Sequence, residues 1–170
     1  MTETQPNHTT PKSTPAETIL VAVDFSTDSE AALVWACHYA KLVGAGVLVL
    51  HVIHDPSEAP GYYKKGRKDD TLRPMEDLAK EELAEFLDSV RSKYVEVAEC
   101  SSLKTVLVKG IPPSRILEAA KSTDASLIVM GSRGLTGLPH LMLGSKAERV
   151  VQLSSIPVTI VKSESSEDEE

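Results

Sequence analysis

Five short apolar runs recur along the chain, and longer segments with apolar residues every three or four positions separate them. The runs are Ile19-Leu-Val-Ala-Val23, Val47-Leu-Val-Leu-His-Val-Ile53, Leu103 to Lys109, Leu127-Ile-Val-Met130 and Pro157-Val-Thr-Ile-Val161. The first is unbroken rather than alternating, as expected of a strand covered on both faces in a parallel sheet. Thr27-Asp-Ser-Glu30 reads as a capping box that opens a helix, with Ala32, Trp35, Ala36, Tyr39, Ala40 and Val43 at helical spacing until Gly44. Trp35 and Tyr39 read as packing residues there. From Pro74, a second helix presents Ala79, Leu83, Phe86, Leu87, Val90 and Tyr94 on one face. Pro112-Pro113 can begin a third helix, because its first positions need no N–H, with Ile116, Ala119 and Ala120 on the buried side. Ala147, Val150 and Val151 place a fourth from Ser145 to about Leu153. The order βαβαβαβαβ predicts an α/β fold: a parallel sheet, right-handed crossovers and helices on both faces.

The length of 170 residues and an apolar fraction of 41% suit one domain with one core. Residues 1–16 are rich in Thr, Pro, Ser and Asn without periodicity and are expected to form a flexible arm before a domain spanning 17–162. An acidic tail, 163–170, is expected to be disordered; Glu164, Glu167, Asp168, Glu169 and Glu170 carry five of the seven net negative charges. The remaining body offers no broad basic surface, so nucleic acid is not an expected partner. No run of about 18 apolar residues occurs, and the polar start Met1-Thr-Glu-Thr-Gln lacks the hydrophobic segment of a signal peptide. A cytoplasmic protein without membrane insertion is expected. Cys37 and Cys100 are too few for a disulfide framework or a cysteine metal site and read as reduced thiols. His51, His54 and His140 lack metal-ligand spacing. The connection 54–73 carries Lys64, Lys65, Arg67 and Lys68 and reads as a mobile or ligand-facing loop, since compact domains seldom use connections so long.

Function is written most densely after the fourth run. Gly131-Ser132-Arg133-Gly134 is followed, nine residues later, by Gly144-Ser145 at the start of a helix. Glycines leave no side chain between backbone and ligand and tolerate positive φ, and a helix start offers unpaired N–H groups and the positive end of its dipole. Both features favour phosphate. Ser145-Lys-Ala-Glu148 is also a capping-box pattern, so the Ser145 hydroxyl could cap its own helix as well as meet a ligand. In parallel sheets ligands bind beyond the carboxyl ends of strands, where Asp24 and Gly131 both lie. The chain has no Gly-x4-Gly-Lys-Ser/Thr loop and no Gly-x-Gly-x-x-Gly after its first strand, which argues against P-loop and dinucleotide enzymes.

The pattern Gly131-x2-Gly134-x9-Gly144-Ser145 resembles the ATP-binding signature of universal stress proteins. Ile19 to Ser26, Leu50 to Ile53 and Val108-Lys-Gly110-Ile-Pro112 resemble that family's first strand and turn, its second strand and the turn after its third. The resemblance implies a Rossmann-like three-layer sandwich with a five-stranded parallel sheet in the order 3-2-1-4-5. It implies an ATP site at Asp24, Val52, Gly110, Met130, Gly131, Arg133, Gly134, Gly144 and Ser145. Asp24 would sit by the adenosine, far from the phosphates; the Val52 backbone and Gly110 would meet the adenine, and Arg133 could reach a phosphate. ATP, with Mg²⁺ or Mn²⁺ on its phosphates, is the expected cofactor. The expected role is that of a nucleotide-dependent stress-response regulator that homodimerises through the last strand and acts on a partner protein. A slow ATPase or phosphoryl-transfer enzyme and a nucleotide-free dimeric interaction module are the alternatives; no catalytic residue is assigned.

Overall fold

The computed structural model describes residues 17–53, 75–134 and 143–163. Its elements are β1 (Thr18–Val23), α1 (Thr27–Val43), β2 (Gly46–Ile53), α2 (Met75–Lys93), α3 (Val95–Ala98), β3 (Leu103–Lys109), α4 (Pro112–Ser122), β4 (Ala125–Gly131), α5 (Ser145–Leu153) and β5 (Val158–Val161). All strand pairs are parallel, and the sheet runs β3-β2-β1-β4-β5. This is the parallel sheet that the alternation predicts, in the Rossmann-like sandwich and strand order that the family resemblance implies. The expected arm, the connection 54–73 with its basic cluster, His140 and the tail beyond 163 lie outside the described residues.

The unbroken apolar runs are explained by what covers them. Ile19, Val21, Val23, Val47, Val49 and Val129 point to one face, where they pack with Ala32, Leu33, Ala36, Cys37 and Ala40 of α1 and Ala79, Leu83, Leu87 and Val90 of α2. Leu20, Leu50, Val52, Ile128 and Met130 point to the other, against Ile116 and Ala120 of α4 and Ala147 and Val150 of α5. Each large aliphatic side chain buried in this way contributes about 1.5–3 kcal/mol. The two cores hold β1 and β4 rigid as neighbours. Chain connections leave that pair in opposite directions across the sheet, so a crevice opens at their carboxyl ends. Among the described residues, no helix is long and apolar enough to cross a membrane.

Two local expectations are corrected, and one element is added. The N-cap of α1 is Ser26, not Thr27: its backbone is extended and its hydroxyl accepts from the Ser29 N–H. Ser26 prevails because the same hydroxyl also donates to Asp24 Oδ1 at 2.6 Å, an anchor the exposed Thr27 lacks. Trp35 and Tyr39 do not pack in the core; the narrow alanine stripe of α1 lies against the sheet, and the two rings stack on each other at 5.1 Å on its outer flank. Finally, α3 is a single turn that periodicity could not reveal. The Pro112-Pro113 start of α4 and the left-handed Gly44 stop of α1 are as expected.

Ser26→Ala is expected to lower stability by about 1–2 kcal/mol and Thr27→Ala by less than about 0.5, read as shifts in urea midpoint at constant m. Equal losses would contradict the Ser26 cap.

Candidate functional site at the ends of β1 and β4

Two carboxylates organise the crevice. Asp24 ends β1 and accepts from the Ser26 N–H at 3.2 Å and the Ser26 hydroxyl. Phe25, next in line, takes a left-handed conformation at φ 67° and stacks on His51 with ring centroids 4.3 Å apart. His51 is buried in β2, with Nδ1 2.8 Å from the Val23 carbonyl, so it props the turn that presents Asp24.

Asp28, in the first turn of α1, is the second carboxylate and is only 2% exposed. Its Oδ2 accepts from the Ser132 hydroxyl at 2.6 Å, the Arg133 N–H at 3.0 Å and Arg133 Nε at 3.2 Å. Its Oδ1 accepts from the N–H and hydroxyl of Ser163, just beyond β5. Burial pushes the carboxyl up, but the Ser132 and Ser163 hydroxyls, the Arg133 side chain and the Ser163 N–H together hold it well below the usual carboxylate range. The positive end of α1 acts in the same direction.

The glycines are needed here for space rather than for positive φ, since neither Gly131 nor Gly134 lies in the left-handed region. A Cβ on Gly131 would come within 2.8 Å of the Asp28 backbone carbonyl carbon and Cβ, so this glycine lets β4 approach α1. A Cβ on Gly134 would lie 2.6 Å from Asp24 Oδ2. Asp24 therefore adjoins the glycine turn. Gly144 fits against the same turn, donating its N–H to the Ser132 carbonyl at 2.7 Å.

The capping-box reading of Ser145 is also corrected. Gly144 is the N-cap of α5, Ser145 begins the helix proper, and its exposed hydroxyl has no partner among the described residues. Arg133 turns inward onto Asp28. The Ser132 N–H is taken by the Val161 carbonyl and that of Arg133 by Asp28. Donors without an acceptor among the described residues are instead the N–H groups of Gly134, Ser145, Lys146 and Ala147. They form one group, because the Gly134 nitrogen lies 4.0 Å from the Cβ position of Gly144, where α5 starts.

The other expected residues line the same edge of the sheet. Met130 is buried in β4 beside Ala22 and Ile160. Val52 is buried in β2, opposite Val108 of β3. Gly110, at φ 136°, donates its N–H to the Ile53 carbonyl at 3.1 Å and leaves room for Arg115, whose Nε would clash with a Cβ. From Gly110 through Val52 and Asp24 to Gly134, the candidates follow the strand order. A separate cavity of about 370 Å³, lined by Ile53, Glu76, Lys80, Leu107, Val108 and Lys109, holds none of them.

The sequence model of the universal stress protein family matches residues 15–162. The chain belongs to that family. Universal stress protein YxiE of Bacillus subtilis is 37% identical over 149 residues, which span 85% of this chain and 97% of the relative. Universal stress protein UspA from Lactobacillus plantarum superposes with a TM-score of 0.64 at 29% identity, covering 85% of this chain and 97% of its own. The universal stress protein of Archaeoglobus fulgidus in complex with dAMP superposes with a TM-score of 0.56 at 27% identity, covering 86% and 98%.

Asp28, Ser132, Ser163 and His51 are the site-building residues that sequence reasoning missed. An acidic residue in a first helical turn is ordinary, so Asp28 carried no distinguishing signal.

Asp28 ionises at lower pH in the folded chain than its reference value of 3.8. Its contribution is therefore complete above the unfolded pKa and is lost as pH falls through the folded one. Asp28→Asn is expected to cost about 1.5–3 kcal/mol at neutral pH. That gap should narrow between about pH 5 and pH 2 in denaturant titrations; a constant gap would contradict the assignment.

Proposed function

We propose that this chain is an ATP-binding regulator of the universal stress protein family, in which bound nucleotide sets the shape of a surface read by a partner protein in the cytoplasm. The observation that supports it best is the cluster of N–H groups at Gly134 and the start of α5, beside the Ser145 hydroxyl, none of which has a partner among the described residues. Donors at a helix start favour an anion, and three of these four belong to the first turn of α5.

In this reading the phosphates rest on the α5 amides and the Ser145 hydroxyl. Asp24 accepts from a ribose hydroxyl, and Val52, Gly110 and Met130 border the base. Gly131 and Arg133 act indirectly, the first by admitting α1 and the second by tying the turn to Asp28. The dAMP complex of the Archaeoglobus relative supports an adenine nucleotide as ligand class. Mg²⁺ or Mn²⁺ would be held by phosphate and water, since among the described residues no three metal-binding side chains gather. When bound, the ion supplies charge neutralisation.

The homodimer is part of the same proposal. β5 is an edge strand with half-buried side chains, and an open edge can pair with a second copy. Ser163 links that edge to Asp28 and so to the nucleotide turn. Occupancy and pairing thus have a physical route of communication.

Calorimetry with ATP is the test, run beside Ser145→Ala. The variant is expected to keep wild-type stability within about 0.5 kcal/mol and to bind ATP about tenfold more weakly, a loss of ~1.4 kcal/mol. Retention of ATP without ADP formation is expected. Absence of binding by the folded wild type at millimolar ATP would overturn the proposal, as would equal affinity of wild type and variant; steady turnover would favour the ATPase.

A further inference from the structure

The two flanks of α1 face different neighbours. Glu30 pairs with Lys93 of α2 at 3.2 Å and Lys41 with Glu99 beside α3 at 2.9 Å, which fixes one flank toward α2 and α3. Asp28 accepts from Ser132 after β4 and from Ser163 after β5, which fixes the other flank toward the β5 edge. Positions three, four and seven apart share a helix face, so that flank continues from Asp28 through Ala32, Trp35, Tyr39 and Leu42 without another charge. Trp35 and Tyr39 stack on each other with centroids 5.1 Å apart and remain 36% and 37% exposed, and Leu42 is 70% exposed.

The rings also lie at a defined height along the sheet. A helix rises about 1.5 Å per residue, so Trp35 and Tyr39 stand about 10 and 16 Å from Asp28 as α1 runs back against the strand direction. A strand rises about 3.3 Å per residue, so these heights, counted back from Ser163, fall beside Ile160 and Val158. Val161 packs into the same core as α1, and the far edge of β5 has no strand beside it among the described residues.

We propose that the stacked Trp35 and Tyr39 anchor a second copy of this chain, closing the α1 side of a β5-to-β5 pairing. This rests on the homodimer proposed above and names the contact that holds it. A two-fold axis perpendicular to the sheet makes the two edge strands antiparallel and sets both α1 helices on the same face. With strands about 4.8 Å apart, β4 of one copy and β4 of the other are about 14 Å apart. Helices in direct contact sit about 8–10 Å apart, so the α1 pair leaves a trough above the joined edges. Two large rings from each copy fill it, and they meet because they stand beside the middle of β5, where the axis passes. β5 has only 4 residues, a ladder too short to hold two proteins by its own hydrogen bonds. Buried aromatic area supplies what the short ladder lacks.

The test uses the full chain, in which Trp35 is the single tryptophan and therefore the reporter. Light scattering and fluorescence are read on one dilution series. As the mass falls from twice 18.4 kDa to 18.4 kDa, Trp35 emission should move to longer wavelength and its quenching by acrylamide should rise over the same concentrations. Trp35→Ala combined with Tyr39→Ala, its fold checked by circular dichroism, should dimerise about a hundredfold more weakly. Dissociation without a change in emission or quenching, or a double variant that pairs as tightly as the wild type, would overturn the anchor and leave the β5 pairing standing. In a dimer that survives dilution, Trp35 as open to acrylamide as free tryptophan amide would overturn it equally. A wild type that stays monomeric at every concentration would overturn both. The wild-type fluorescence decides the matter even if the double variant fails to fold.

Discussion

One buried carboxylate fixes the geometry on which the rest of the crevice depends. Asp28 receives hydrogen bonds from residues 104 to 135 positions further along the chain, at the ends of β4 and β5. A lone carboxylate removed from water would be strongly unfavourable and would take up a proton. Here both oxygens are occupied by donors, and the group lies at the positive end of α1. The charge is thereby retained, and it locks three elements in register. Two cores alone would set the strands but leave the turn after β4 free to choose among conformations.

The locked turn determines which amides remain for a ligand. Ser132, Arg133 and Gly144 give their N–H groups to the protein itself, while those of Gly134 and the first turn of α5 have no acceptor among the described residues. Glycine contributes through its missing side chain: at position 131 it admits α1, and at 134 it admits the Asp24 carboxylate. The same positions that look like a ligand cradle in the sequence thus serve first to bring protein against protein. In the proposed function, what an anion would meet is the result of that packing, the positively polarised start of α5 beside the Gly134 turn that Asp24 adjoins.

What could be read from the sequence had local causes, and what could not was set by distant contacts. The apolar runs, the Pro112-Pro113 start and the Gly44 stop depend on neighbours a few residues away, so periodicity and capping chemistry reveal them. The N-cap of α1 had two hydroxyl candidates, and only the Asp24 contact separates Ser26 from Thr27. Trp35 and Tyr39 have core-like chemistry, yet α1 approaches the sheet along alanines and leaves the rings outside. At the site, family likeness indicated the residues along the carboxyl edge, including Gly110, Val52, Asp24 and Gly134. It gave no sign of the inward turn of Arg133 or of the bonds from Ser163, because both depend on long-range pairing with Asp28.

Amide-resolved NMR during titration of the labelled chain with ATP tests the central claim most directly. Perturbations should be largest at the N–H groups of Gly134, Ser145, Lys146 and Ala147, and small at those of Ser132 and Arg133, which the protein already holds. Shifts confined to the cavity residues Glu76, Lys80 and Lys109, or none at saturating nucleotide, would contradict it.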